Sequence, residues 1–468
     1  MMTNEMPEIK VPNIPDRTYR ITDFGAVADG ITLNTEAINR AIEQCAAQGG
    51  GKVVIPAGTW LTGPIHLKNN IELHAESGAL VVFSKDPRHY PLIETMWEGN
   101  QAIRSTSPIN GVNLENIAIT GEGIFDGNGD AWRPVKRFKM TDKQWNALLQ
   151  SGGAVEQTKE TEIWWPNEGA LQGGKAVAAL QKSEATQISD YEPYRTYLRP
   201  VMLNLRHSKI IRLEGATFQN SPAWNLHLYD CEHITMRRVA VRNPWYAQNG
   251  DGLDLESSRY AIVEDCTFDV GDDAICMKSG KNEEGRRFGK PVECVIVRNC
   301  TVFHGHGGFV VGSEMSGGAR NIVVENCSFI GTDVGLRFKS TRGRGGVVEN
   351  IVIRGIQMKD IAGPAISFNL FYGLSQEQAQ PVPVSEETPE FRNIMVENVS
   401  CAGAKQAIEI KGLPELPVNR IFMDGVTIEA DRGVTVWNAK DIVFKNTKIV
   451  AKEGETWNVS ESENIQLP

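Results

Sequence analysis

From residue 115 onward short runs rich in β-branched residues recur along this chain: "ENIAIT", "SKIIRLEGATFQN", "EHITMRRVAVRN", "RYAIVEDCTFDV", "ECVIVRNCTVFH", "RNIVVENCSFIG", "ENIVIRGIQMKD", "RNIMVENVSCAG", "NRIFMDGVTIEA" and "KDIVFKNTKIVA". Each alternates apolar and polar residues, as a strand with one buried face must. A small or polar residue, often Asn, precedes the next strand and supplies a turn. The strands read as starting at Ile210, Ile234, Ile262, Val295, Ile322 and Ile351, which are spaced 24 to 33 residues apart. Such units are too short and too poor in helix for βαβ crossovers, and too irregular for propeller blades. Strands of fixed register joined by loops of variable length fit an all-β solenoid, the parallel β-helix, in which each coil stacks on the last and insertions lie outside. A β-sandwich would instead need hairpin turns between neighbouring strands.

The remaining segments fit around that solenoid. "TEAINRAIEQCAAQGGGKVVIPAGTW" reads as an amphipathic helix from about Thr35 to Ala47, ended by three glycines and followed by a strand. A helix here would cap the open end of the coil stack, which otherwise exposes unpaired strand edges. Residues 133–200 break the repeat and are expected to form one long, partly helical insertion on the substrate-groove side, carrying Trp145, Trp164 and Trp165. The segment 372–391, rich in proline and glutamate, reads as a surface loop, and 1–19 as an N-terminal extension. The expectation is therefore a single domain over 1–468.

Charge and cysteine usage narrow the function. A net charge of −10 argues against a general nucleic-acid or anionic-membrane binder. It would also repel an acidic substrate unless the site carries local cations. No run approaches the apolar length of a membrane span. The start, "MMTNEMPEIK", lacks the basic and apolar regions of a signal peptide, so the chain on its face is cytoplasmic, or periplasmic or secreted after loss of a leader. Three of the eight cysteines, Cys266, Cys300 and Cys327, share one repeat position and read as stacked core residues, not disulfides or metal ligands. No cofactor and no metal is expected, and the oligomeric state is left open.

Within each coil a second apolar strand follows: "WNLHL", "GLDLE", "AICMK", "GFVVG", "GLRFK", "AISFN". Aligning these places Leu226, Leu253, Ile275, Phe309, Leu336 and Ile366 in one column. Asp251 and Asp273 then fall two residues earlier in successive coils. His306 takes the Asp272 position one coil further on, and Arg337 and Lys339 alternate on one face of a later strand. Lys278 lies at the Lys339 position two coils earlier. Neighbouring strands are roughly 4.8 Å apart, so the three acids crowd and at least one should have a raised pKa. One protonated and one ionised carboxylate is what glycosidic-bond hydrolysis requires. Single acids in strand-end turns often only satisfy the local backbone. Three acids could also bind calcium, although adjacent cations disfavour that.

These residues resemble glycoside hydrolase family 28, the polygalacturonases. The family's Asn-Thr-Asp-Gly, Gly/Gln-Asp-Asp, Gly-His-Gly and Arg-Ile-Lys correspond to "NGDG" (249–252), "GDD" (271–273), "GHG" (305–307) and "RFK" (337–339), in the same order. The segment "ITDFGAVADG" (21–30) is similar to the opening of pectinase-type β-helices. Gly250 and Phe338 depart from the family's Thr and Ile. The resemblance implies a right-handed parallel β-helix and inverting hydrolysis of α-1,4-galacturonosidic bonds in pectin or polygalacturonate. It implies Asp272 as general acid, Asp251 and Asp273 holding and activating water, and His306 supporting the acid's protonation. Arg337 and Lys339, with Lys278 and Asn249, would bind the galacturonate. "GSEMSGG" (312–318) and "KSTRGRGG" (339–346) resemble the bacterial exo-acting branch, whose closed groove the 133–200 and 372–391 segments could wall. Another pectin-backbone hydrolase, a calcium-dependent pectate lyase and a non-catalytic carbohydrate-binding β-helix are the alternatives.

Overall fold

The computed structural model describes residues 8–183 and 187–468, so residues 1–7 of the expected extension lie outside it. Thirty-one strands pair into one parallel sheet wound as a β-helix. Successive coils hold strict register: Ile211 pairs with Ile234, Ile234 with Ala261, Ala261 with Val295, and Val295 with Ile322. The inward residues form one continuous apolar core along the solenoid.

A left-handed residue precedes the core position of each coil. Asn116, His233, Asn321, Asn350 and Asn393 have φ between 53° and 63° and stand directly before Ile117, Ile234, Ile322, Ile351 and Ile394. Asn tolerates this conformation because its short polar side chain bonds locally, which explains the turn residue seen in the repeats. Ile210 and Tyr260 occupy the same place with φ of 58°. The core residues of those coils are consequently Ile211 and Ala261, one residue away from the expected Ile210 and Ile262. The left-handed residue resets the alternation, so the first of two adjacent isoleucines in one coil and the bulkier neighbour of Ala261 in the other stand one place off the core.

The helix α1 spans Thr35–Ala47 and buries Ala37, Ile38, Ala41, Ile42 and Cys45 in the solenoid core. Ile38 and Ile42 are fully buried, a contribution of about 1.5–3 kcal/mol each. Cys266, Cys300 and Cys327 are free and buried. Among the described residues no helix is long and apolar enough to cross a membrane.

Between the strands Ile124–Asp126 and Leu203–Arg206 the chain leaves the solenoid. It forms α2 (Asp142–Gln150), α3 (Glu168–Leu180) and an antiparallel three-stranded sheet of Val135–Lys136, Glu162–Trp165 and Ala154–Gln157. The sheet was not anticipated. Its short strands carry no repeat by which periodicity could find them. Trp145 and Trp164 are buried with Val135 in a small core against which Tyr246 of the solenoid packs. They are packing residues, not a sugar-facing wall. A second excursion, the antiparallel hairpin of Leu92–Trp97 and Asn100–Ser105, rests through Leu92 on Val177, Tyr191 and Leu198.

Candidate active site

The column inferred from sequence is present: Leu226 pairs with Leu253, Leu253 with Ile275, Ile275 with Phe309, Phe309 with Leu336 and Leu336 with Ile366. That register stacks Asp251 beside Asp273 and sets Gly307 opposite Asp273. A Cβ at Gly307 would come within 2.4 Å of Val310 Cγ2 and crowd Arg337, so the smallest residue keeps this corner open. Gly250 has a related cause. A Cβ there would meet Ala247 Cβ at 2.7 Å, so this turn has no room for the family's Thr.

One carboxylate oxygen from each of Asp251, Asp272 and Asp273 lies within 4.8 Å of the other two. Asp273 is 2% exposed, its Oδ1 3.3 Å from Arg337 Nη1 and its Oδ2 accepting from Lys339 Nζ at 2.7 Å. Asp272 Oδ1 lies 3.1 Å from His306 Nδ1, while Nε2 of the same ring faces Asp333 at 3.8 Å. Tyr372 lies over Arg337 and Lys339 with its ring centroid 5.9 and 5.5 Å away.

These partners split the acids. Burial pushes Asp251 well above the carboxylate range, and the charges of Asp272 and Asp254 push the same way. Burial also acts against ionised Asp272, but the hydrogen bond and charge of His306, then Lys339, outweigh it and hold Asp272 low. Asp273 is likewise held low against burial by Lys339 and Arg337. His306 is raised, first by its hydrogen bond to Asp272. Crowding was expected to place a proton on Asp272. The shifts run the other way: Asp251 is the acid pushed towards its protonated form, while Asp272 is held down and His306 is raised. The reason is burial and facing charge: among the described residues no cation pairs directly with buried Asp251, whereas His306 pairs with Asp272.

Two of the expected sugar-binding residues are already engaged. Lys278 is 3% exposed, donates to Glu314 Oε2 at 2.9 Å, lies 3.7 Å from Asp254 and sits 4.9 Å from the Trp224 ring. Glu314 is held down to about 2, burial being outweighed by Lys278 and Lys339. Asn249 turns its Oδ1 to Arg199 Nη2 at 2.8 Å and braces the turn before Asp251. Sequence reading passed over Asp254, although "NGDGLD" contains it. Its alternation with Leu253 sets it in the outward column that leads to Arg337, and both its oxygens lack a hydrogen-bond partner among the described residues.

His227, Asp254 and Glu256 point outward from the sheet, yet all are 0% exposed. Trp224 stands edge to face on His227 at 5.1 Å, and the hairpin Leu92–Ser105 packs on Trp224 in turn. Trp97 packs on Trp224 with centroids 4.7 Å apart, and the Arg104 guanidinium lies 3.8 Å from the Trp97 centroid. Further along, Lys281 N donates to Gly99 O at 3.3 Å, Gln101 N donates to Glu284 Oε1 at 3.0 Å, and Lys281 pairs with Glu98 at 3.5 Å. The hairpin thus covers the outward face on the N-terminal side of the acids, while Glu409 and Thr435 on the C-terminal side stay partly exposed.

Residues 181–465 match the model of glycosyl hydrolases family 28, and residues 19–125 match that of rhamnogalacturonase A/epimerase, pectate lyase-like proteins. A probable polygalacturonase of Vitis vinifera is 28% identical over 90% of this chain and 77% of its own length. The exo-poly-alpha-D-galacturonosidase of Dickeya chrysanthemi is 29% identical over 85% of this chain and 64% of its own length. A crystal structure of a hyperthermoactive exopolygalacturonase from Thermotoga maritima superposes with a TM-score of 0.79, 31% identity, and coverage of 96% of this chain and 95% of that one. Matching fold, ordered motifs and a family model that spans most of the solenoid place the chain in glycosyl hydrolase family 28.

Proposed function

We propose that the protein is a polygalacturonase that releases galacturonate from chain ends of polygalacturonate by acid/base hydrolysis. The observation that carries this reading is three converging carboxylates flanked by a histidine on one side and two cations on the other. Asp272 takes a proton from His306 across 3.1 Å and delivers it to the leaving oxygen. Asp251 and Asp273 hold the attacking water between them, and Asp273 is kept ionised for that task by Lys339 and Arg337. The same two cations, under Tyr372, present positive charge to a uronate carboxylate. An inverting pair ordinarily stands about 6.5–9.5 Å apart to leave room for water. Here the third carboxylate lets two acids share the water while the third serves the leaving group. The hairpin over the N-terminal side supports action from a chain end, as do the names of the Dickeya and Thermotoga relatives.

The raised Asp251 favours a second assignment, in which Asp251 is the proton donor and Asp272 and Asp273 are the bases. An aryl galacturonide with a good leaving group separates the two. The variant lacking the acid keeps aryl-galacturonide turnover while losing polygalacturonate turnover, and the variant lacking a base loses both. Asp272→Asn is expected to show the first pattern and Asp251→Asn the second. Products from polygalacturonate are expected to be monomer from the first time point, with the anomer first formed inverted by NMR. Release of unsaturated, ultraviolet-absorbing products would instead identify a lyase.

A further inference from the structure

Residues 126–180 lie between the stretches matched by the two family models and hold most of the excursion from the solenoid. It delivers one cation to the catalytic cluster. Lys139 ends the short 3-10 turn Arg137–Lys139 and lines a cleft of about 600 Å³ together with Trp245, Gly271, His304, His306 and Asp333. The cleft shares His306 with the catalytic cluster but contains neither Arg337 nor Lys339. Its mouth has an exposed aromatic face, since Trp245 is 53% exposed.

The placement is rigid. The turn sits between Val135 and α2, whose start is locked by a capping box of Thr141 and Gln144. Val135, Trp145 and Trp164 form the small core against which Tyr246 packs. The Tyr246 ring meets Trp245 edge to face at 5.9 Å. The insertion and the loop that leads into "NGDG" are therefore joined by one core. The other charges in the cleft are paired: Asp269 faces His304 at 2.8 Å and Asp333 faces His306 at 3.8 Å. Lys139 feels Asp272 and Asp333 through space, with no direct ion pair among the described residues. A half-buried ammonium with no carboxylate in contact, beside an exposed indole, suits a sugar that carries its own carboxylate.

We propose that Lys139 and Trp245 form a second uronate subsite, in which Lys139 binds the carboxylate of the galacturonate unit next to the one held by Arg337 and Lys339, and Trp245 stacks on its ring. This rests on the polygalacturonase reading and extends it to a residue outside the family's motifs. Lys139 selects charged, unesterified units across the scissile bond and acts on binding, not on the proton transfer.

The test is steady-state kinetics on trigalacturonate and on its methyl-esterified counterpart, with wild type, Lys139→Gln, Lys139→Arg and Trp245→Ala. A lost charge-assisted hydrogen bond corresponds to a rise of about 10- to 100-fold in KM. Lys139→Gln should show that rise with kcat within about threefold of wild type, and Lys139→Arg should recover most of it. On the esterified substrate Lys139→Gln and wild type should converge, and Trp245→Ala should raise KM on both. An unchanged KM for Lys139→Gln, or an equal KM ratio on the two substrates, overturns the proposal. So does an unchanged KM with a displaced pH profile, because Lys139 would then act on Asp272. Thermal melts identify a variant that merely unfolds, and the arginine variant then carries the test through its own KM ratio on the two substrates. A wild type that does not cleave trigalacturonate overturns the polygalacturonase reading itself, an outcome distinct from all of these.

Discussion

Lys339→Met tests whether Asp273 is an ionised base because of its neighbours. Lys339 Nζ lies 2.7 Å from Asp273 Oδ2, in a site where Asp273 is 2% exposed. An opposite charge at such range lowers a carboxyl by about 1–3 pH units. Without it, Arg337 at 3.3 Å is the one ion-pair partner left to Asp273 among the described residues. The acidic limb of kcat against pH, which reports groups in the substrate complex, should rise by about 1–3 units. Stability should follow with a definite sign. In the wild type Asp273 titrates below its unfolded value, so its pairs stabilise the fold above about pH 4, and this is lost as pH falls through the depressed value. In the variant Asp273 titrates higher, and the deficit is largest at neutral pH, bounded by the roughly 3–5 kcal/mol of a broken buried pair. The deficit shrinks on acidification, when a protonated Asp273 no longer needs a cation. Lys339→Met/Asp273→Asn should recover most of that stability while remaining inactive. The assays are kcat on trigalacturonate from pH 3 to 8 and urea unfolding at about pH 7 and 4. A limb that moves by less than about 0.5 unit, with neutral-pH stability unchanged, would refute the view that Lys339 sets the state of Asp273.

Three further outcomes follow from the same geometry. His306 is raised by Asp272, so its ion pair stabilises the protein fully below about pH 6.5 and is lost as pH climbs through the raised value; His306→Gln should remove the alkaline limb of kcat and lower kcat by about 10²–10⁴-fold. Replacing 93–104 by a short glycine turn should uncover His227 and Glu256 and convert a monomer product pattern into a ladder of oligomers, read by chromatography. Ellman's reagent should titrate eight thiols after unfolding, and dithiothreitol should leave Tm unchanged, because all eight cysteines are free.

The fold was legible because its signal is local and repeated. The period-2 alternation marks the strands, an Asn before the core isoleucine marks the bend, and α1 shows an apolar stripe of Ile38, Ala41, Ile42 and Cys45. The two register slips, at Ile210 and Ile262, came where a left-handed Ile or Tyr stood in place of Asn and hid the bend. The site was legible for a related reason: in a solenoid, sequence offset converts directly into spatial stacking, so Asp251, Asp272, Asp273 and His306 could be superimposed on paper. Lys139, Trp245 and the hairpin at 92–105 were not legible. Lys139 and the hairpin reach the site from excursions outside the repeat and Trp245 from a loop between coil strands, where no offset relates them to the column.

Composition and repeat thus determined the coil, the column and which acids meet, since strand register depends only on neighbours along and between coils. Only the folded molecule decided which acid is pushed up and which are held down. That depends on burial and on charges arriving from other coils: Lys339 and Arg337 on Asp273, His306 on Asp272, and, among the described residues, no directly paired cation on Asp251. The folded molecule also decided that Lys278 is bound to Glu314, because a strand position gives a side chain's direction and leaves its partner to the tertiary packing.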